Sequence, residues 1–227
     1  TFKIQTLTKN KNYEKPEGKE HLDKDFLEEL KHKLWATKGI RFYASDRLKG
    51  LATISNICTS ILSVYLIIFG LLSVYNIYNP SEQTEDLFAF SMTAVSIGLL
   101  VFSIFENSQN YLVKAEKFHD CALDIADLYN ELQNFKTYKT NSTDENKLDF
   151  CNQHQIKYQN ILRRYENHSQ LDTKKFRADN MDYYKYLKWH YWWKTQFLFF
   201  YKTKLIYLLA ILIPGLILSY LIVMNFS

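Results

Sequence analysis

The sequence predicts an all-α membrane protein: a transmembrane helical hairpin, a third C-terminal membrane helix, and an antiparallel helical hairpin on the cytoplasmic side. Three observations predict it. First, the stretches 51–79, 87–105 and 205–227 contain no Asp, Glu, Lys, Arg or His. About 20 apolar residues rising ~1.5 Å each cross a ~30 Å hydrocarbon layer, whereas a soluble core helix keeps a charged stripe. Second, only 6 Gly and 3 Pro occur among 227 residues, too few for a turn-rich β fold. Third, the basic residues flank these stretches on one side only. Lys31, Lys33, Lys38, Arg41, Arg47 and Lys49 precede the first, Lys114 and Lys117 follow the second, and Lys185, Lys188, Lys194, Lys202 and Lys204 precede the third. The connection 78–86 has no basic residue and three acids, Glu82, Glu85 and Asp86. The positive-inside rule then places the N-terminus and the 106–204 region in the cytosol, with the short connection and the far C-terminus outside. The mean hydropathy of −0.27 only averages these unlike blocks.

The segments follow in order. Residues 1–22 form a polar tail without the apolar core of a signal peptide. Residues 23–50 form a cytoplasmic amphipathic helix leading to the membrane. Asp23 is its expected cap, Phe26, Leu30 and Leu34 share its apolar face, and Gly39 and Gly50 permit a bend. Residues 51–105 form the transmembrane hairpin. In 106–182, Ala115, Phe118, Ala122, Ile125, Tyr129 and Leu132 alternate spacings of three and four, so the helix is expected to run on from the bilayer to about Phe135. Leu148, Cys151, His154, Tyr158, Ile161 and Tyr165 make a second seam beyond the polar connection 136–147, completing the hairpin. Such a seam also serves self-association. Residues 183–204 hold an aromatic and basic segment with eleven aromatics between Tyr183 and Tyr201. Directly before the third membrane helix (205–227), Trp189, Trp192 and Trp193 suit the lipid–water interface, and Lys185 and Lys188 suit anionic headgroups. Aromatics interleaved with Lys also stack on single-stranded nucleic acid, but a net charge of +4 is modest and no direct nucleic-acid binding is expected.

The run LWATKGIRFYASDRLKG (34–50), followed by ICTSILSVYLIIFGLL, a short acidic connection and a second span, resembles the SLATT family, two-TM effector domains associated with SMODS nucleotidyltransferases and SLOG sensors. The string KYQNILRRYENHSQLD (157–172), with Glu166, Asn167, His168 and Asp172, resembles that family's region after the hairpin. The resemblance covers roughly residues 25–200, and the third apolar stretch goes beyond a two-span label, suggesting a variant. It implies a bacterial anti-phage effector in the inner membrane. A partner sensor, a nucleotidyltransferase or a reverse transcriptase, would trigger it to oligomerise and breach that membrane.

Thr53, Asn56, Ser60 and Ser63 lie along one face of the first span, and Thr93, Ser96 and Ser103 along one face of the second. Such stripes either line a water-filled path between copies or pack helices closely and bond across them, at ~0.6 kcal/mol per contact. Pro214-Gly215 predicts a kink in the third span, static or a gating hinge. Arg41 and Arg47 either snorkel to headgroups or pair with carboxylates of the cytoplasmic hairpin or with phosphates. His168 and Asp172 suit a turn and helix cap, with a proton or metal pair as the alternative. Cys151 and His154 share a face, but two ligands do not make a zinc site. Cys58, Cys121 and Cys151 form no CxxC pair and are expected as free thiols. The Asn141 and Asn167 sequons fall on the cytosolic side, out of reach of glycosylation. No phosphate loop, HExxH, GxSxG or kinase motif occurs, and the three stretches hold no Asp, Glu, Lys, Arg or His. No catalytic residue, cofactor or metal is expected; membrane lipid is.

Overall fold

A computed structural model describes residues 26–74, 82–139 and 142–226. The polar tail, Asp23, most of the acidic connection and Asn141 lie outside the described residues. Every element described is an α-helix: α1 (Phe26–Val74), α2 (Glu82–Ser108), α3 (Tyr111–Tyr138), α4 (Asp144–Arg164), α5 (Gln170–Asp179), α6 (Trp189–Thr203) and α7 (Leu205–Phe226).

The chain has a polar body and an apolar arm, and α1 runs through both. Its 49 residues form one helix, so neither Gly39 nor Gly50 breaks it. Helix is the low-cost choice: α1 has no proline, and its apolar lower half satisfies its own backbone, as lipid demands. In the body, Leu27, Leu30 and Leu34 of α1 pack against Cys121, Ile125, Leu128, Leu132 and Phe135 of α3 and against Cys151 and Ile161 of α4. The α3–α4 hairpin therefore closes on α1 as a three-helix core instead of standing alone. The Phe135 and Phe150 rings stack at 3.8 Å where the hairpin turns. A second cluster carries the α1–α3 contact toward the arm through Ala44, Leu48, Ala115 and Phe118. A third seats α5 and the following turn on α1 through Ile40, Phe176 and Tyr184. At Gly39 a Cβ would stand 2.2 Å from the Phe176 ring, so the missing side chain is what lets α5 lie this close.

Three sequence expectations change in detail. The apolar stripe of α1 begins at buried Leu27, not at Phe26, which is exposed. Leu148 stands 62% exposed and drops out of the α4 seam, because α4 meets the bundle only from Phe150 onward. The helix leaving the second span does not run unbroken. Gln109 and Asn110 interrupt it, Asn110 taking the left-handed conformation (φ 51, ψ 42) and donating its side-chain amide to the Ser108 carbonyl at 3.1 Å. Asn is among the few non-glycine residues that adopt this conformation at low cost.

In the arm, α1 and α2 are each long and apolar enough to cross a membrane. The α6–α7 pair adds a third crossing if taken as one bent span, with a 59° bend at the break between them. That bend lies at Lys204, ten residues before the expected kink; α7 continues as helix through Pro214.

Candidate functional site

The two strings that carry the family resemblance come together where α1 passes from body to arm. Arg41, Ser45 and Leu48 repeat at three and four and so share one face of α1, turned inward against α3, α4 and the α4–α5 connection. The connection Tyr165–Ser169 is extended, and Ser169 caps α5. Its side chain accepts from Leu171 N at 3.2 Å, while Asp172 accepts from the Ser169 amide at 3.2 Å, a reciprocal capping box.

Asp172 also receives Arg47 as a fork, Nε donating to Oδ1 at 2.6 Å and the second guanidinium nitrogen to Oδ2 at 3.0 Å. The Asp172 side chain is 0% exposed. One buried carboxylate thereby ends a helix and ties it to α1, 125 residues away in sequence. Arg41, six residues earlier on α1, is 1% exposed, donating to the Glu166 backbone carbonyl with its guanidinium 5.2 Å from the Phe118 ring centre. Burial pushes the Arg41 guanidinium below its ordinary range, and no carboxylate is among the groups acting on it. Arg41 is thus a desolvated cation held by a carbonyl and a ring face. Its Nε, the Ser45 hydroxyl and His168 Nδ1 are buried without hydrogen-bond partners. Thr37 and Tyr158 close the site on the body side, their hydroxyls 2.7 Å apart.

Headgroup contact for the two arginines gives way to this arrangement. Arg41 is sealed inside the protein, and Arg47 uses its fork on Asp172, a carboxylate of α5 instead of one from the α3–α4 hairpin. His168 and Asp172 stand at the turn and cap, next to Arg41 and Arg47, while Glu166 contributes its backbone and its side chain and Asn167 are exposed. Among the described residues no cluster of His, Cys, Asp or Glu could hold a metal. Cys151 is buried in the core, and His154 lies 2.9 Å from the Glu131 carboxylate.

Burial first, and Arg41 second, hold the His168 imidazole below its ordinary 6.5, against an opposing pull from Asp172. Below about pH 6.5 the unfolded chain protonates this histidine while the folded chain resists, so the unfolded state binds more protons and stability falls with pH through that window. The thermal midpoint is expected to drop between about pH 7 and pH 5, and to drop less in His168→Gln. Equal slopes for the two proteins would contradict this placement.

The polar stripes of the arm do not meet. Thr53, Ser60, Ser63 and Thr93 donate to carbonyls four residues earlier in their own helices, and Ser96 to one three earlier. Thr53, Asn56, Ser60, Thr93 and Ser96 face outward; Ser63 and Ser103 are half-buried. A cavity of about 660 Å³ does lie between α1, α2 and α7, lined by residues such as Leu62, Phe69, Val95, Phe102 and Pro214, and by none of the seven stripe residues. Asn56 instead borders a 190 Å³ crevice with Glu106, Asn107 and Asn110, at the α2–α3 break. Gly215 works as a close-packing point, since a Cβ there would lie 2.7 Å from the Tyr65 hydroxyl of α1.

Along α6, Trp189, Trp193, Phe197 and Tyr201 form one exposed aromatic ridge, with Trp189 73% exposed. Trp192 is half-buried, and Lys185 and Lys188 are exposed before the helix. Sequence reasoning missed two parts of this region. One is the Tyr207 hydroxyl donating to Glu106 at 2.8 Å, which joins α7 to the end of α2. The other is the Ser45 hydroxyl, whose only signal was its spacing of four from Arg41.

A charged helical body fused to apolar helices of membrane-crossing length defines a helical membrane protein whose recognisable motif is structural, the lock between α1 and α5. The sequence pattern described as SMODS and SLOG-associating 2TM effector domain family 5 matches residues 23–221, and the chain belongs to that family, a SLATT family of membrane effectors. The matched range takes in most of α7, so the third apolar helix lies inside the family's pattern and not beyond it. Curated proteins and solved structures gave no match.

Proposed function

We propose that the protein is the membrane effector of a bacterial anti-phage defence system, in which copies of the chain assemble, or rearrange within a standing assembly, to depolarise the inner membrane when a partner sensor triggers them. The family supports the effector role and a SMODS- or SLOG-type sensor. The observation that supports assembly is the contrast between body and arm. The body closes around a buried apolar core, whereas none of the most apolar window of the α2–α3 stretch is buried, and Val95, Leu100, Val101 and Ile104 of α2 stand exposed alongside Thr93 and Ser96. Among the described residues, the cavity between α1, α2 and α7 is walled almost wholly by apolar side chains and offers ions no polar route. A conducting path therefore runs between copies, where the outward hydroxyls of α2 replace water around a passing ion. The basic flanks support a cytosolic body, facing the sensor. We assign it no enzymatic step and no cofactor.

The test is membrane potential, followed with a potential-sensitive dye in cells making the protein with and without its genomic neighbours. Depolarisation only when neighbours and trigger are both present is the expected result. No depolarisation under any condition would make it a non-conducting anchor that recruits a soluble partner, and depolarisation without a trigger a constitutive channel; either outcome overturns the proposal.

A further inference from the structure

A second feature of the body–arm boundary belongs to neither the lock nor the arm's interior. A cleft of about 480 Å³ opens between α1, α5 and α6, bordered by Arg47, Lys174 and Lys202 and by no acidic side chain. Asp172 compensates Arg47 from behind. Lys174 and Lys202 are both exposed, and neither has an ion-pair partner among the described residues, whereas neighbouring Lys175 is tied to Asp179 at 3.0 Å. Two uncompensated ammonium groups thus line one concave site.

The depth of the cleft says what fills it. Leu51, the first residue of the first charge-free stretch, forms part of its wall, and so does Thr203, the last residue of α6 before the third apolar helix. The cleft therefore sits at the level where charge gives way to hydrocarbon, flanked by the helix that carries the exposed aromatic ridge. Leu51 and Leu198 add apolar wall beside the lysines. A cationic pocket with an apolar lip at that depth matches an amphiphile, a phosphate bearing acyl chains, better than a free ion.

We propose that this cleft seats the phosphate of an anionic phospholipid, with Lys174 and Lys202 as its charge contacts and Leu51 and Leu198 against its glycerol and upper chains. The seat is independent of pore formation and holds for a conducting or a silent protein. Each basic residue near an anionic surface strengthens attachment by several-fold, and two together by roughly thirtyfold.

The full chain in detergent is titrated with tail-labelled phosphatidylglycerol and, separately, tail-labelled phosphatidylcholine, reading fluorescence anisotropy. Phosphatidylglycerol should bind the wild type roughly thirtyfold more tightly. Lys174→Ala/Lys202→Ala should remove that preference, Lys174→Arg/Lys202→Arg should keep it, and Lys139→Ala/Lys147→Ala, far from the cleft, should leave it unchanged. Inorganic phosphate added as competitor should not displace the lipid. Equal binding of the two lipids, a preference surviving the alanine pair, or displacement by inorganic phosphate would each overturn the assignment, the last by making the cleft a free-anion site.

Discussion

Asp172→Ala should unfold the chain at markedly lower temperature than any surface substitution. Three donors converge on this buried carboxylate, two from Arg47 and one from the Ser169 amide. Removing it leaves the Arg47 guanidinium, on a side chain only 16% exposed, without its partner. Breaking one side of a buried pair costs about 3–5 kcal/mol, because the remaining charge stays desolvated. The loss of the α5 cap adds to this, at ~1 kcal/mol for a typical cap. Asp172→Asn should be milder, since the amide oxygen still accepts from Ser169. Thermal unfolding of the detergent-solubilised protein, followed by circular dichroism, measures both. Arg47→Ala combined with Asp172→Ala should cost less than the two changes summed, because each single change strands the other group. A midpoint for Asp172→Ala within a degree or two of wild type would dissolve the lock between α1 and α5.

Leu34→Ala should be of similar size for a different reason. Leu34 is fully buried where α1 meets α3 and α4. Truncating a leucine at such a site loses its transfer free energy and leaves a cavity, about 2–5 kcal/mol depending on how far the neighbours relax. Ile57→Ala provides the contrast on the same helix. Ile57 is half exposed in the arm, so detergent replaces what it loses, and the same thermal measurement should register little change. If both substitutions cost the same, α1 is not divided into a packed body half and a lipid-facing half.

Much of this was legible in the sequence. Stretches without a single charge mark the arm, because hydrocarbon excludes ions so strongly that composition alone carries the signal. The α3 seam was largely legible for a related reason, since Ala115, Phe118, Ala122, Ile125 and Leu132 repeat at helical spacing and end in one buried stripe, in which Leu128 is buried and Tyr129 only partly so. What a period cannot give is the partner. The seam that read as half of an isolated hairpin closes on α1, and a face that could meet α4, another copy or α1 looks identical in one dimension. The lock was half visible. His168 and Asp172 read as a turn and helix cap, and Arg47 reads as a cation beside a membrane, but the pairing of Arg47 with Asp172 spans 125 residues and depends on how α5 folds back. Arg41 misled most. A basic residue next to an apolar stretch ordinarily snorkels, and only the packing of Phe118 and the Glu166 carbonyl turns it inward. The break at Asn110 carries neither glycine nor proline, so no strong punctuation announces it.

The claim on which the functional account rests is sidedness: the folded body, with its lock and its proposed lipid seat, stands in the cytosol, and the short acidic connection and the far C-terminus lie outside. Single cysteines placed at Lys147 in the body, whose side chain is 41% exposed, and at Ser81 in the connection, in a chain whose three native cysteines are replaced by serine, test it directly with a membrane-impermeant maleimide. In intact spheroplasts Ser81→Cys should label and Lys147→Cys should not, and after lysis both should label. Labelling of Lys147→Cys from outside intact cells would invert the topology and contradict an effector that meets its sensor in the cytosol.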